Sequence, residues 1–155
     1  MRKIMLTIVA TMLLQAVPAT HVQAGDNGLV MKRSPYSVSE TIKRLESLLR
    51  RKGFTIFAVV DHWAGARKAG IKLRPTKLLI FGNPKVGSHF FTSKQTAGID
   101  LPMKALAWKD ARGQVWLAYN DPKYIANRHG INNRPEIVKK MTGALDNFTN
   151  MAVKK

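Results

Sequence analysis

One acid–imidazole pair, Asp61-His62, combines the residue types that acid–base chemistry needs. The pair follows a predicted strand and precedes a predicted short helix, a position where open sheets commonly carry their sites. There, the His62 imidazole could act as a catalytic general base together with Asp61, as a metal ligand or as a hydrogen-bond donor. The structural alternative is that Asp61 caps the helix and His62 is a partly exposed residue at the strand end.

Asn83 is the second candidate, in a Gly-Asn-Pro turn that ends the next predicted strand. If the two strands are parallel, Asn83 lies near His62; if they are antiparallel, the two residues are apart. Four residues are therefore candidates for binding a small or lipid-like ligand, namely His62, Asn83, Trp63 and Tyr119. The alternatives are an asparagine cap in a tight turn and aromatic side chains that pack in the core.

Metal binding is a weaker hypothesis, with His62, His89 and His129 as candidate ligands. A zinc or copper site needs at least three converging ligands, and these histidines lack the short spacings typical of such sites.

Several other chemistries are excluded or disfavoured. The chain has no cysteine, and it lacks a nucleophile elbow, a dinucleotide fingerprint and a phosphate loop. The chain has only nine acidic residues, and this small number argues against hydrolysis by a pair of carboxylates. Whether the protein uses a cofactor, and which one, is left open by the sequence.

The elements that must position these residues follow from periodicity and from capping signals. Ser37 and Glu40 form a capping box, the apolar residues after them recur at helical spacing, and Gly53 ends the helix predicted at 38–52. Residues 54–60 are almost entirely apolar, which predicts a strand buried on both faces, or on one face beneath a helix.

The remaining predicted elements are strands at 29–33, 77–81, 103–108 and 114–119 and helices at 63–69, 89–97, 122–129 and 135–153. The residues between the last two strands, 110–113, form a hairpin loop that makes the strands antiparallel. The order of elements therefore predicts a single α+β domain, with a mostly antiparallel sheet packed against helices.

The N-terminus has the features of a secretory signal. Arg2 and Lys3 precede an uncharged apolar stretch, and a small-residue site predicts cleavage near Ala24-Gly25. Export to a periplasm fits a chain without cysteine, which forgoes disulfides. An uncleaved membrane anchor is the alternative, but the apolar run is short for a bilayer.

Positive charge dominates the composition, with 26 Lys and Arg against 9 Asp and Glu, a net charge of +17. Such a field attracts polyanions, and an anionic envelope surface is one candidate partner. The alternative is that the charges are simply solvated. Nucleic acid is an unlikely partner because the chain is expected to be exported.

The chain resembles the bacterial family called domain of unknown function 302. The resemblance rests on the following segments: Lys52-Gly53-Phe54, Asp61-His62, Ala64-Gly65-Ala66, Ala69-Gly70, Leu73-Arg74-Pro75-Thr76, Leu79-Ile80-Phe81-Gly82-Asn83-Pro84, Asp100-Leu101-Pro102, Tyr119-Asn120-Asp121-Pro122 and Arg128-His129-Gly130. It implies a β-α-β(4)-α fold, of the kind grouped with TATA-binding-protein-like folds. The family name assigns no activity.

The sequence thus divides into a signal peptide (1–24), a leader and first strand (25–36), the family-like domain (37–131) and a C-terminal helix outside the clear resemblance (132–155). We favour a non-enzymatic periplasmic domain that binds a small or lipid-like ligand or mediates interactions, in a stress-related role or as a homodimer. A His62/Asp61 metal-binding protein or hydrolase, and a basic binder of envelope polyanions, are the alternatives.

Overall fold

The computed structural model of the chain describes residues 27–155, so the predicted signal segment lies outside the described residues. The strands are β1 (Leu29–Ser34), β2 (Thr55–Asp61), β3 (Thr76–Gly82), β4 (Met103–Lys109) and β5 (Val115–Asn120). The helices are α1 (Val38–Arg51), α2 (His62–Lys68), α3 (Pro84–Ser93), α4 (Pro122–Arg128) and α5 (Pro135–Val153), with a 3-10 helix at Gln95–Ile99. Each predicted strand and helix has a counterpart in this order.

The five strands form one sheet in the order β1-β5-β4-β3-β2, and every neighbouring pair is antiparallel. This arrangement confirms the predicted α+β fold with an antiparallel sheet. The first two strands of the chain lie at opposite edges of the sheet, and the three later strands fill its centre.

The hydrophobic core lies between one face of the sheet and the helices α1 and α5. Leu45 and Leu49 of α1 are fully buried, as are Leu79 and Phe81 of β3. Full burial of each such side chain is worth about 1.5–3 kcal/mol. The ring of Phe54, just before β2, meets those of Phe81 and Phe148 edge-on, which joins the sheet to α5.

β2 corrects the expectation of a buried strand, because it is an edge strand of the sheet. Phe57 is 54% exposed and Val59 44% exposed. A run of apolar residues does not distinguish a central strand from an apolar edge, since periodicity reports only alternation. The apolar composition of β2 therefore needs an explanation other than burial.

α3 also differs from expectation, because it begins at Pro84 and not near His89. Asn83 caps this helix by accepting a hydrogen bond from the Lys85 backbone N–H (3.0 Å), and Pro84 occupies the first turn. Proline suits that position because its missing N–H would be unpaired there anyway. The expected Gly-Asn-Pro turn is therefore a helix start.

Gly28 is required where the chain enters β1. Its φ is +75°, and a Cβ there would lie 2.2 Å from the Tyr124 ring. Its carbonyl also accepts a hydrogen bond from the Asp121 N–H (2.8 Å), which ties the start of β1 to the start of α4. Over residues 27–155, no helix has the length and apolar character needed to cross a membrane.

Candidate functional site

The Asp61 carboxylate is engaged in structural contacts. One oxygen accepts a hydrogen bond from the Ala64 backbone N–H (2.9 Å), which caps α2, and the other pairs with the Lys77 ammonium (3.1 Å). The Ala64 hydrogen bond, followed by the Lys77 contact, lowers the pKa of Asp61 below its usual value. A carboxylate with a lowered pKa is a poor base, and both oxygens of Asp61 already have partners. The capping interpretation of Asp61 is therefore favoured over the catalytic one.

His62 is the first residue of α2 and is exposed to solvent. The two Asp61 oxygens bond to Ala64 and Lys77 and not to the His62 imidazole. The catalytic alternative, an acid–imidazole pair, is therefore not assembled. Adjacent residues at a strand-to-helix junction point in different directions, which explains the separation.

Asn83 lies at the opposite end of the β2–β3 pair from Asp61. Asp61 pairs with Lys77 and Thr55 pairs with Gly82 in an antiparallel ladder. The five residue-to-residue steps from Lys77 to Gly82 span about 17 Å at the usual rise of a strand. The antiparallel alternative therefore applies, in which His62 and Asn83 lie apart.

The two aromatic candidates are also separated. Trp63 lies under the Arg67 guanidinium (4.7 Å to the ring centroid) and borders an open groove with Lys77. Tyr119 is only 3% exposed and belongs to the core beneath the helices. Burial raises the pKa of the Tyr119 phenol far above its usual value. The two side chains do not line one pocket.

The three candidate metal ligands lie on different elements: His62 begins α2, His89 is in α3, and His129 follows α4. Among the described residues, no three His, Asp or Glu side chains come together in a group that could hold a metal ion. The candidate metal set is thus not brought together by the fold.

A cavity of about 220 Å³ opens where β3 ends, between the sheet, α3 and α5. Its lining is almost wholly apolar. The principal contributors are Phe54, Phe57, Phe81, Val86, Phe91, Met103, Met141, Ala144 and Leu145. Asn83 also borders this cavity. The other three candidate ligand residues, His62, Trp63 and Tyr119, do not line it.

A local irregularity in β2 contributes to this cavity. The pairing register of β2 shifts between Ile56 and Ala58, leaving Phe57 as an extra residue opposite β3. Bulges of this kind redirect a side chain, and here the Phe57 side chain borders the cavity. A Cβ on Gly82 would lie 3.3 Å from the Phe57 ring, so glycine leaves the ring its space.

The polar residues at the cavity wall are paired within the protein. The Asn83 side-chain oxygen accepts from Lys85 N–H, and the Ser88 hydroxyl donates to the Pro84 carbonyl (2.6 Å). Lys140 on α5 is the one charged residue among those that line the cavity, and it is exposed. The result is an apolar recess with a single cation beside it, a common pattern in small-molecule sites.

A second polar constellation surrounds the side chain of His129, which is 7% exposed. Its Nε2 lies 2.7 Å from an Asp100 carboxylate oxygen, and its Nδ1 lies 3.1 Å from the Thr96 hydroxyl. The second Asp100 oxygen accepts a hydrogen bond from Arg128 (3.0 Å). A hydroxyl, imidazole and carboxylate in series resemble a nucleophilic relay. None of these side chains lines the apolar cavity, and their contacts join the 3-10 helix to the end of α4.

Sequence reasoning missed the cavity because its walls are ordinary core residue types. Phe57, Phe91 and Lys140 come from three elements that are distant in the chain. One usable signal was present: Asn83-Pro84 matches a helix start, which would have placed α3 beside the end of β3. No sequence pattern indicated that His129 pairs with Asp100. Both residues occur in the segments that carry the family resemblance, but those segments do not show that the two side chains meet.

Several curated proteins are similar to this chain. It is 46% identical over 115 residues to "Fluoride-specific ion channel FluC 1" of Brucella suis biovar 1 (strain 1330), covering 74% of this chain and 45% of that protein. The identity is also 46% to "Fluoride-specific ion channel FluC 2" of Brucella melitensis biotype 1 (strain ATCC 23456 / CCUG 17765 / NCTC 10094 / 16M), of which 43% is covered. The chain thus spans less than half the length of these relatives.

A solved structure shares the fold: the crystal structure of the uncharacterized conserved protein DUF302 from Bacillus stearothermophilus. The TM-score is 0.73 at 18% identity, covering 81% of this chain and 98% of that one. The family model described as "Domain of unknown function DUF302" matches residues 30–148, a wider range than the quoted segments and one that includes most of α5. The chain belongs to the DUF302 family.

Proposed function

We propose that this domain binds a small amphipathic molecule, with the apolar part of the ligand in the cavity and an anionic group near Lys140. The observation that carries the proposal is the apolar cavity of about 220 Å³ bordered by one exposed cation. Removal of apolar ligand surface from water supplies the affinity, and the lysine supplies a preference for an anion.

The size of the cavity limits the ligand. Drug-sized molecules generally occupy about 300–1,000 Å³, whereas a dry apolar cavity of about 150 Å³ accommodates benzene. A cavity of about 220 Å³ therefore suits a short acyl chain or one aromatic ring. A carboxylate on that chain could reach the Lys140 ammonium at the surface. This makes a medium-chain fatty acid an appropriate probe.

The test is calorimetric titration of the purified protein with octanoate and with octanol. We expect octanoate to bind, and Ala144→Trp to weaken its binding at least tenfold by filling the cavity. Lys140→Ala should weaken octanoate but leave octanol unchanged. Lys139→Ala is the matched control, because Lys139 is exposed on the same helix and does not line the cavity.

Two results would reject this function. One is the absence of binding of both probes at millimolar concentration. The other is binding that Ala144→Trp leaves unchanged while thermal unfolding shows the variant folded. Native mass spectrometry of protein purified from its own cells adds an independent readout, because a retained ligand would appear as a mass shift that Ala144→Trp abolishes.

The cellular setting is part of the same proposal. The sequence pattern of residues 1–24 supports export, with the mature chain starting at Gly25, and a periplasmic ligand-binding role in stress fits that address. The mass of the protein recovered from a periplasmic extract would test it. Recovery of the full-length mass from the cytoplasm alone would reject export.

The Brucella relatives favour a second candidate function, an accessory domain that responds to fluoride. This candidate rests on 46% identity over 115 residues to proteins named as fluoride-specific ion channels. We expect sodium fluoride to raise the unfolding temperature relative to sodium chloride at equal ionic strength, since a ligand of the native state stabilises it. Equal temperatures in both salts would remove this candidate.

A further inference from the structure

The face of the sheet that points away from α1 and α5 is also apolar. Register places Met31, Ala118, Leu106, Leu78 and Val60 in one row across all five strands. The neighbouring rows contribute Trp116 and Trp108 on one side and Ile80 and Ala58 on the other. We call this set of residues the open face.

Most large side chains of the open face are only half-buried. Leu78, Ile80, Leu106, Trp108 and Trp116 all retain solvent exposure, whereas their neighbours on the helix side are fully buried. An antiparallel sheet with one solvated face normally alternates apolar and polar residues. Strands that are apolar on both faces indicate that a second layer covers the open face.

Charged groups lie at the margins of the open face. Lys104 is near the start of β4, and its ammonium donates to the Asp100 carbonyl (2.8 Å), so the chain itself holds this charge at the sheet end. Arg33 is on the edge strand β1, over the Trp116 ring (5.4 Å). An uncharged centre with a polar rim is the usual anatomy of a protein–protein interface.

The area of the open face is close to the lower limit for a specific dimer. Five strands about 4.8 Å apart, with five to six residues of about 3.4 Å rise, give roughly 24 Å by 18 Å. Two such faces together remove about 860 Å² in projection, before side-chain relief is counted. A specific interface needs about 1,000 Å² or more, so the dimer is near the lower limit and its affinity should be modest.

Two other classes of occupant fit less well. Tryptophan at a membrane surface uses its N–H towards the headgroups, but the Trp116 N–H already donates to Asp110 (2.9 Å). Nucleic-acid bases stack on free aromatic rings, but Arg33 already lies over the Trp116 ring. A flat, self-complementary apolar surface is what a two-fold dimer of sheets requires.

We propose that two copies of this chain pack open face to open face, forming a four-layer dimer with Leu106 and Ala118 near its centre. The dimer buries the apolar rows of both sheets and leaves both ligand cavities free, because the cavity lies on the helix side. Since each copy is strongly basic, salt weakens the repulsion between copies and strengthens the dimer.

The test is sedimentation equilibrium of the protein purified from cells expressing the full chain. We expect a monomer–dimer equilibrium in the micromolar range that tightens as sodium chloride is raised. Leu106→Glu should weaken it at least a hundredfold, because two buried carboxylates would face the partner sheet. Ile99→Glu is the matched control, since Ile99 is 72% exposed in the 3-10 helix and should leave the dimer intact.

Cross-linking gives a second readout that does not depend on a charged substitution. The chain has no cysteine. Leu106 is only half-buried, so Leu106→Cys provides a single reactive site on the open face. A short bis-maleimide should link two Leu106→Cys copies and should not link two Ile99→Cys copies. A protein that stays monomeric at about 100 μM in high salt would overturn the proposal, as would a monomer that binds lipid vesicles through Leu106.

Discussion

The buried imidazole of His129 acts as an anchor between two elements. It contacts Asp100 on one side and Thr96 on the other, while its own residue terminates α4. Loss of the ring would leave part of a nearly buried carboxylate without its partner, and leaving such a group unpaired costs about 1–3 kcal/mol.

We therefore expect His129→Ala to lower the free energy of unfolding by about 1–3 kcal/mol, measured by urea denaturation. His89→Ala is the matched control, because His89 is exposed in α3 and its loss should change stability by less than about 0.5 kcal/mol. Equal effects of the two substitutions would contradict the anchoring role.

Acid stability should depend on Asp110 in the hairpin loop. A hydrogen bond from the Trp116 indole lowers the pKa of Asp110 below its usual value, with help from the Gln114 backbone N–H. The unfolded carboxyl therefore binds protons more readily than the folded one. This contribution to stability is present above the unfolded value of about 3.9 and is lost as the pH falls through the lower folded value.

The expected result is a urea midpoint that decreases between about pH 5 and pH 3. Asp110→Asn should flatten that decrease, because the substituted side chain does not titrate. The comparison is made with Asp121→Asn, whose carboxylate likewise accepts a backbone N–H, from Lys123, but has no indole partner. If both variants follow the parent curve, the Trp116 contact makes no measurable contribution to acid stability.

Caps were predicted from sequence more successfully than constellations. Ser37 and Asp61 were both named as helix caps, and both accept backbone hydrogen bonds at the helix starts. A cap depends on residues within one helical turn, so the local sequence contains the necessary information. The separation of His62 from Asn83 depended on strand direction, which is set by tertiary packing and was open to two readings.

At the scale of elements, Lys32 fastens α5 to β1. Its ammonium bonds to the Asp146 carboxylate (2.6 Å), to the Asp146 carbonyl and to Asn150. Burial lowers the pKa of Lys32, and the Asp146 contact opposes this change. The cation is therefore tolerated in the sheet because α5 supplies three oxygen ligands.

We expect Asp146→Ala to destabilise the protein more than Lys32→Met does. The first substitution leaves a largely buried ammonium without its counter-charge, whereas the second removes the charge and keeps an apolar stem of similar size. Thermal unfolding of the two variants and of the double variant, which forms a double-mutant cycle, measures the difference. A larger loss for Lys32→Met would contradict this account of the pair.

β2 shows where element-level prediction has a limit. Its composition correctly indicated a strand, but its position at the sheet edge was not readable from seven consecutive, mostly apolar residues. The apolar composition of β2 indicates that its side chains contact something other than water, but it does not indicate which part of the protein or which partner they contact. In β2, Phe57 borders the cavity and Val60 lies on the open face, the two surfaces for which we propose a ligand and a second copy of the chain.

At the scale of the whole molecule, the charge of +17 makes one clear prediction. If an anionic surface is a partner, retention on vesicles with anionic lipid should decrease steeply as salt rises, because the interaction is screened. The proposed dimer has the opposite salt dependence. Vesicle flotation and sedimentation across one salt series therefore separate the two uses of the surface, and flat retention would reject the polyanion role.

The order of strands in the sheet also has a consequence for how the chain is made. Leu29 pairs with Asn120, so the first strand has no hydrogen-bonding partner until nearly the entire domain has been synthesised. The central hairpin of β4 and β5 is local in sequence and can form early, but closing the sheet requires a contact of long sequence separation, which is slow. If the chain is exported as proposed, this order has a use, because a chain whose sheet is still incomplete can cross a membrane in unfolded form.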